Sequence, residues 1–346
     1  MSNRVRLILF WVFVAACVGG ATGYIRWRIG ATDRSAKATI PLHDPADPKF
    51  AATLDDIRKG PYLFFQSARA YGRIAVVKAD NPDEQWILNT LECERSHFGR
   101  NGGLCLVLNR ESMQPRAYAY FLDARFQAVG RLELAGLPIR ARVSPDGRLG
   151  ASTVFVTGEN YASEDFTTRT TLFDLSTRQA ITDLEHFTVE RDGKPFSNVD
   201  FNFWGVTFRR DSNRFLATLG TGGKRLLVEG DVTKRHLRVI ADDVECPSLS
   251  PDEQHLVFKR KRKGLSGWQL WAMKLDTRES WAITEDQQDI DDQVEWVDNG
   301  RVIYGMLFGS GLPEDSLSVW MTRIDPAAGK NRQLFIRSGW SPAVVR

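Results

Sequence analysis

The feature that most constrains this chain is a recurring turn. The stretches "ARVSPDGRLGAS" (Ala141–Ser152) and "PSLSPDEQHLVF" (Pro247–Phe258) each place a hydrophobic residue before Ser-Pro-Asp, then a turn, then an alternating strand. "VTFRRDSNRFLA" (Val206–Ala217) keeps the outline with Arg209-Arg210-Asp211, and "VEWVDNGRVIYG" (Val294–Gly305) keeps it with Val297-Asp298-Asn299. "HFGRNGGLCLVL" (His97–Leu108) matches more weakly. Proline presets φ for the second turn position, and Asp, Asn or Gly tolerates the next ones, so the tetrad folds one strand back on the last. From Cys246 to Thr284 the turn is followed by a second strand, a third carrying Trp271, a turn at Asp276–Ser280 and a last strand from Trp281. That is a four-stranded antiparallel unit. It cannot bury both faces alone, and recurrence at roughly 40–50 residues is the period of a propeller blade.

Six such units are read, near 60–90, 91–137, 138–187, 198–243, 244–287 and 289–346. The third is lengthened by a polar insertion, Thr157–Thr170, and Ser338–Arg346 is placed to return to an early strand and close a ring. The expected fold is all-β: a six-bladed β-propeller of four-stranded antiparallel blades, preceded by one N-terminal transmembrane or signal helix. A large β-sandwich would explain the strands but not the recurring turn. "RVSPDGR" (Arg142–Arg148), "PSLSPDEQHLVF" and the Trp, Asp, Thr rhythm after it resemble the repeats of TolB-like six-bladed propellers, over residues 138–310 most closely. The resemblance implies the fold. The α/β unit ahead of the TolB propeller has no counterpart in residues 31–59, so TolB's role with Pal in the Tol envelope system is not carried over. The chain is similar to the membrane-anchored, actinobacterial TolB-like type.

The domains are read as 1–30, a membrane anchor or signal segment; 31–59, a linker; and 60–346, the propeller. Arg4 and Arg6 precede a charge-free run, Leu7–Ile25, and Arg26 and Arg28 follow it. Such a run approaches the ~20 residues needed to cross a bilayer. It exceeds the roughly 7–15 apolar residues of a cleaved signal. "VAAC" (Val14–Cys17) also resembles a lipobox, which makes Cys17 a lipidation candidate. Both readings tether the body to a membrane, with the body outside the cytoplasm. Prolines 41, 45 and 48 and mixed charges mark the linker. Cys93 and Cys105 flank a polar loop with a Gly-Gly turn, and antiparallel strands on either side would bring the sulfurs within bridging range. An oxidising compartment favours that bond; the alternative is two unpaired cysteines that pack as small apolar residues.

Net charge is +3, so the chain as a whole is no electrostatic nucleic-acid binder, and any anion preference is local. In a propeller the first strand of each blade lines the axial channel. The residues just before the turns therefore converge on one axis: Arg140 and Arg142; Asp200, Asn202 and Trp204; Glu245; and Asp289, Asp291 and Asp292. These are the candidate ligand-binding residues at the channel mouth. Their alternative is a set of mutual ion pairs, and for Trp204 packing between blades. The acids are oxygen ligands of the kind Ca²⁺ takes, though without EF-hand spacing; no other cofactor is implied and no metal set is identified. "KRKRKG" (Lys259–Gly264) is the sharpest basic run, suited to lipid head groups or an anionic wall polymer, or else a solvated hairpin. The histidines at 43, 97, 186, 236 and 255 form no His-Glu-x-x-His pair. "GTGGK" (Gly220–Lys224) reads as a hairpin turn rather than a phosphate loop, and "GWSPA" (Gly339–Ala343) has no helix or histidine after it, unlike a nucleophile elbow.

The leading functional reading is a membrane-tethered, extracytoplasmic scaffold of the cell envelope that binds a protein partner and catalyses nothing. The alternatives are a channel-centred hydrolase or lyase acting on carbohydrate or peptide, and a Ca²⁺ or small-ligand sensor. Fold does not choose among them.

Overall fold

Runs such as "RIAVVK", "RFLATLG" and "HLVF" are apolar on both strand faces, which only burial on both sides accommodates. The computed structural model of the chain meets that demand by stacking sheets around an axis. It describes residues 4–5, 11–15, 17–23, 42–43, 45–70, 72–111, 113–157, 166–262, 267–285, 290–307 and 317–346. Within these residues six sheets form, one per blade, each built on four antiparallel strands. Blade 2 comprises Arg95–Phe98, Gly102–Asn109, Arg116–Asp123 and Ala128–Leu134; blade 3 comprises Leu137–Val143, Leu149–Thr157, Thr167–Asp174 and Gln179–Asp183. Blade 4 comprises Asn202–Phe208, Arg214–Thr221, Lys224–Asp231 and His236–Asp242; blade 5 comprises Glu245–Leu249, His255–Lys261, Trp268–Lys274 and Ser280–Ala282. Blade 6 comprises Val294–Trp296, Arg301–Leu307, Leu317–Arg323 and Arg332–Ile336.

Blade 1 closes the ring. Its inner strand is the C-terminal segment Gly339–Val345, which pairs antiparallel with Tyr62–Ser67, followed outward by Arg73–Lys78 and Asn81–Glu92. First and last segments thus share one sheet, and the sixth unit expected over 289–346 gives up its tail to the first. Residues 31–59 are not all linker. Leu42–His43 add to the outer edge of blade 1, parallel to Gln85–Trp86, and the helix Phe50–Ile57 packs Phe50, Leu54 and Ile57 on the same core cluster. Blade 4 carries an unforeseen hairpin, Thr188–Arg191 with Lys194–Pro195, on its outer edge. Residues 11–15 and 17–23 are helical, with Cys17 exposed. Among the described residues no helix is long and apolar enough to cross a membrane. The run Leu7–Ile25 lies partly outside them, as do residues 158–165 of the insertion.

The period of two in each strand feeds a separate apolar cluster at each blade junction. Phe215, Ala217 and Leu219 face blade 3, where they meet Leu149 and Leu172. Leu216 points the other way, to Leu249, Leu256 and Phe258 of blade 5. Val257 in turn reaches Val294, Trp296 and Val302 of blade 6. A one-residue slip would exchange these sets, so the stacking fixes register.

The turn motif explains itself in hydrogen bonds. In blade 3, Ser144 Oγ donates to Asp146 Oδ1 (2.6 Å), the Leu149 amide donates to Ser144 Oγ (2.9 Å) and the Arg148 amide donates to Asp146 Oδ1 (3.0 Å). Blade 5 repeats this wiring with Ser250, Asp252, His255 and Gln254, at 2.5, 2.9 and 3.1 Å. In blade 4, Asp211 takes the amides of Asn213 and Arg214 (3.0 and 2.8 Å). The residue after each Asp is left-handed: Gly147 (φ 77°), Ser212 (51°) and Glu253 (61°). At Gly147 the glycine is needed twice over, because a Cβ would meet the Asn101 and Gly102 amides at 2.7 and 2.8 Å. The turns of blades 2 and 6 are shorter, closed by Gly99 N to Gly102 O and Val297 N to Arg301 O, which is why their sequences match less well.

Candidate functional site

Aligning the turns also aligns the inner strands. Two residues before each turn stand His97, Arg142, Thr207, Ser248 and Glu295, one from each of blades 2 to 6. All five line one mouth of the axial channel, a pocket of about 480 Å³. Phe98, Phe208, Leu249, Trp296 and Val345 contribute apolar surface to it, and Arg100, Asn101, Arg210 and Arg346 also border it.

The floor is a closed polar network. Arg142 Nη1 pairs with Glu295 Oε2, and Arg142 Nη2 donates to Val294 O (3.0 Å) and Ser248 Oγ (3.4 Å). The Val143 amide donates to His97 Nδ1 (3.2 Å), so the imidazole proton sits on Nε2 and is donated to Glu295 Oε2 (2.9 Å). Arg142 Nη1 lies 3.0 Å from the same Nε2. Burial lowers the pKa of His97, against the pull of Glu295 and with the help of Arg142, so the ring is neutral. Burial also opposes charge on Glu295, but Arg142 beside it and the His97 hydrogen bond prevail and hold its carboxyl down at about 2. The network is an ion pair with a neutral histidine, and both ring nitrogens are engaged. Such a carboxylate is a poor general acid and such a histidine a poor base.

Further along the channel lies a second cluster, around Asp291, whose side chain is about half exposed and borders a pocket of about 340 Å³ with Asp292, Arg95 and Trp340. Arg140, two residues ahead of Arg142 and on the same strand face, donates Nη2 to Asp291 Oδ1 (2.7 Å) and to Asp291 O (2.8 Å). Lys259, 1% exposed, reaches Asp291 Oδ1 at 3.1 Å. Crowding by neighbouring groups resists ionisation of Asp291 although about half of its side chain stays exposed, but Lys259 and Arg140 keep its pKa well below the usual carboxylate range. Between the clusters the channel narrows to a void of about 20 Å³.

The remaining candidates divide. Glu245 is buried at this end of the channel, accepting from Trp268 Nε1 (2.9 Å). Asp292 borders the same pocket as Asp291 but has other partners: it takes the Gly305 amide (3.1 Å), the Ser341 amide (2.6 Å) and Ser341 Oγ (3.0 Å), and so ties the closing strand to blade 6. Asp200 holds a hairpin through Thr221 Oγ1 (2.5 Å) and the Gly222 amide (2.6 Å). Asn202 Oδ1 accepts from the Thr168 amide (2.8 Å). Trp204 is fully buried among Phe155, Phe166, Cys246 and Trp268, which is packing between blades and not a platform at a mouth. Asp289 lies outside the described residues. The acids do not converge on a point, and among the described residues no group of three or more His, Cys, Asp or Glu is arranged to hold a metal. The basic run alternates as its strand dictates: Lys259 turns to the axis, Arg260 stacks over Trp271 (4.2 Å) and pairs with Asp243 (2.7 Å), and Lys261 is exposed. "GTGGK" is a hairpin turn with φ of 54° and 72° at Gly222 and Gly223, and "GWSPA" is strand. Cys93 and Cys105 form a disulfide that joins the exit of blade 1 to the second strand of blade 2.

Sequence reading left His97 and Glu295 out of the site. The signal was the repeat register itself: both occupy the position of Arg142, in the turns that match least well.

The fold and the axis define a class: a six-bladed propeller with a buried ion pair, Arg142 with Glu295, across its channel below a wide mouth. In fold the chain is a TolB-like propeller. It is similar to the solved structure of TolB from Acinetobacter baumannii, at 15% identity over 83% of this chain and 67% of that one, with a TM-score of 0.55. It is likewise similar to a chain in the crystal structure of a nidogen/laminin complex, at 10% identity over 82% of this chain and 98% of that one, with a TM-score of 0.53. At such identities the likeness is one of fold. No protein-family profile matches the chain, and no curated protein matches it in sequence.

Proposed function

We propose that this chain is a membrane-tethered, extracytoplasmic binding module of the cell envelope, which takes a segment of a partner protein at the open mouth and catalyses no reaction. The observation that carries this is the state of the axis. Its charged groups are spent on one another, while about 480 Å³ stays open above them. The rim supports a partner segment with acidic groups. Arg210 donates its side chain to a neutral carbonyl, Pro251 O (2.6 Å), and Arg100 and Arg346 border the same mouth, whose acids Glu253 and Glu295 pair with Arg209 and Arg142. The tether rests on the charge-free run Leu7–Ile25, and the Cys93–Cys105 disulfide favours an oxidising compartment.

The test is a photo-crosslinking residue at Asn101, on the mouth, in intact cells, with the captured chains identified by mass spectrometry. A reproducible envelope protein whose capture is lost in Arg210→Glu is expected. Recovery of no reproducible partner, or turnover of a peptide or glycan by the purified chain, would overturn the reading.

A further inference from the structure

A second cavity, of about 300 Å³, lies at the other end of the blade 5 inner strand, beside Glu245 rather than Leu249. It is bounded by the Gly222–Gly223 hairpin of blade 4 and the strand Lys259–Lys261 of blade 5. Its charges do not balance. Lys259 is spent on Asp291, Arg260 on Asp243 and Asp242 on Arg191. That leaves Lys224, Arg225 and Lys261 against Glu245. Among the described residues neither Lys224 nor Lys261 forms an ion pair.

Arg225 is held ready. Its guanidinium carbon lies 5.1 Å from the Trp204 ring centroid and 5.9 Å from that of Phe166, and Nη1 donates to Lys224 O (3.2 Å). Its Nε is buried with no hydrogen-bond partner among the described residues, and the nearest carboxylate oxygen, on Glu245, is 4.0 Å away. A buried charged donor left without an acceptor is costly, and such orphans call for an explanation. The glycine turn gives access, because a Cβ at Gly222 or Gly223 would have nothing within 4 Å.

We propose that this cavity binds a phosphate group. Three cations from two blades surround it, and a tetrahedral dianion offers oxygens to separated donors where a planar carboxylate offers two in one plane. A phospholipid headgroup and a free or polymer-borne phosphate share this chemistry. The site is separate from the open mouth, so its failure would leave the partner-binding reading standing.

The experiment titrates inorganic phosphate and glycerol 1-phosphate into the full chain by calorimetry. Saturable binding is expected, weakened roughly tenfold in Arg225→Lys, which keeps the charge and loses Nε–H, and in the surface variant Lys224→Gln/Lys261→Gln. Circular dichroism checks that both variants fold. A parallel arm measures sedimentation with phosphatidylcholine vesicles, with and without phosphatidic acid. Retention that depends on phosphatidic acid and falls in the double variant assigns a lipid headgroup; phosphate binding without it assigns a soluble or polymer-borne phosphate. No saturable phosphate binding by the wild type, or equal binding in both variants, would overturn the proposal.

Discussion

His97 and Glu295 are the residues whose chemistry the fold alters most usefully. Unfolded, they would titrate near their ordinary values of 6.5 and 4.5. Folded, both resist the proton, so the unfolded state binds it first and stability falls with pH. The contribution of His97 is therefore lost as pH drops through and below about 6.5, and that of Glu295 as pH falls from about 4.5 towards about 2. Denaturant midpoints measured against pH should decline in two stages, and His97→Asn should remove the upper stage while leaving the lower. An unchanged upper stage in that variant would show that the histidine is not the neutral, buried group described. Little of this was legible beforehand. His97 and Glu295 are separated by 198 positions, and neither carries a local signal of its partner.

At the scale of the element, the turns and the staple differ in how much they depend on context. The Ser-Pro-Asp tetrad satisfies its own amides within five residues, so its identity could be read without neighbours. The disulfide acts between elements. Cys93 follows the outer strand of blade 1 and Cys105 lies opposite Ser96 in blade 2, so the bond holds two blades at a junction already packed by Phe64, Phe98 and Phe126. Cys93→Ala/Cys105→Ala is expected to lower the unfolding free energy by about 2–4 kcal/mol, and reduction of the wild type to do the same. Urea unfolding with and without reductant checks this, and identical midpoints would exclude a stabilising bond. The loop between the cysteines made a bond geometrically feasible without deciding it against two unpaired cysteines. That the bond would join two blades was not visible, because the sequence reading put both cysteines in one unit, 91–137, whereas blade 2 begins at Arg95.

For the whole molecule the decisive event is closure. A ring of stacked sheets has no exposed end only if the last strand returns to the first sheet, and here Gly339–Val345 does so. Asp292 fastens that strand by three hydrogen bonds, two of them to Ser341. Asp292→Ala is expected to cost a few kcal/mol, on the order of 2–4, since each charge-assisted bond contributes about 1.5–3 gross of relaxation. It should also raise hydrogen exchange first in Tyr62–Ser67, the neighbour of the closing strand. Exchange raised equally in all blades would mean that closure is not the weak point.

What the sequence determined by itself is the repeating unit: strands of period two, turns that fold them back, and a count of six. These are local consequences of φ preferences, side-chain caps and alternation. The tertiary structure alone decided which charges meet on the axis, that Asp291 faces two cations while Asp292 fastens a strand, and that the segment from Leu42 joins blade 1. The physical reason is that ion pairs across a ring join equivalent positions of different repeats. Their energy depends on distance and burial, which no single repeat encodes.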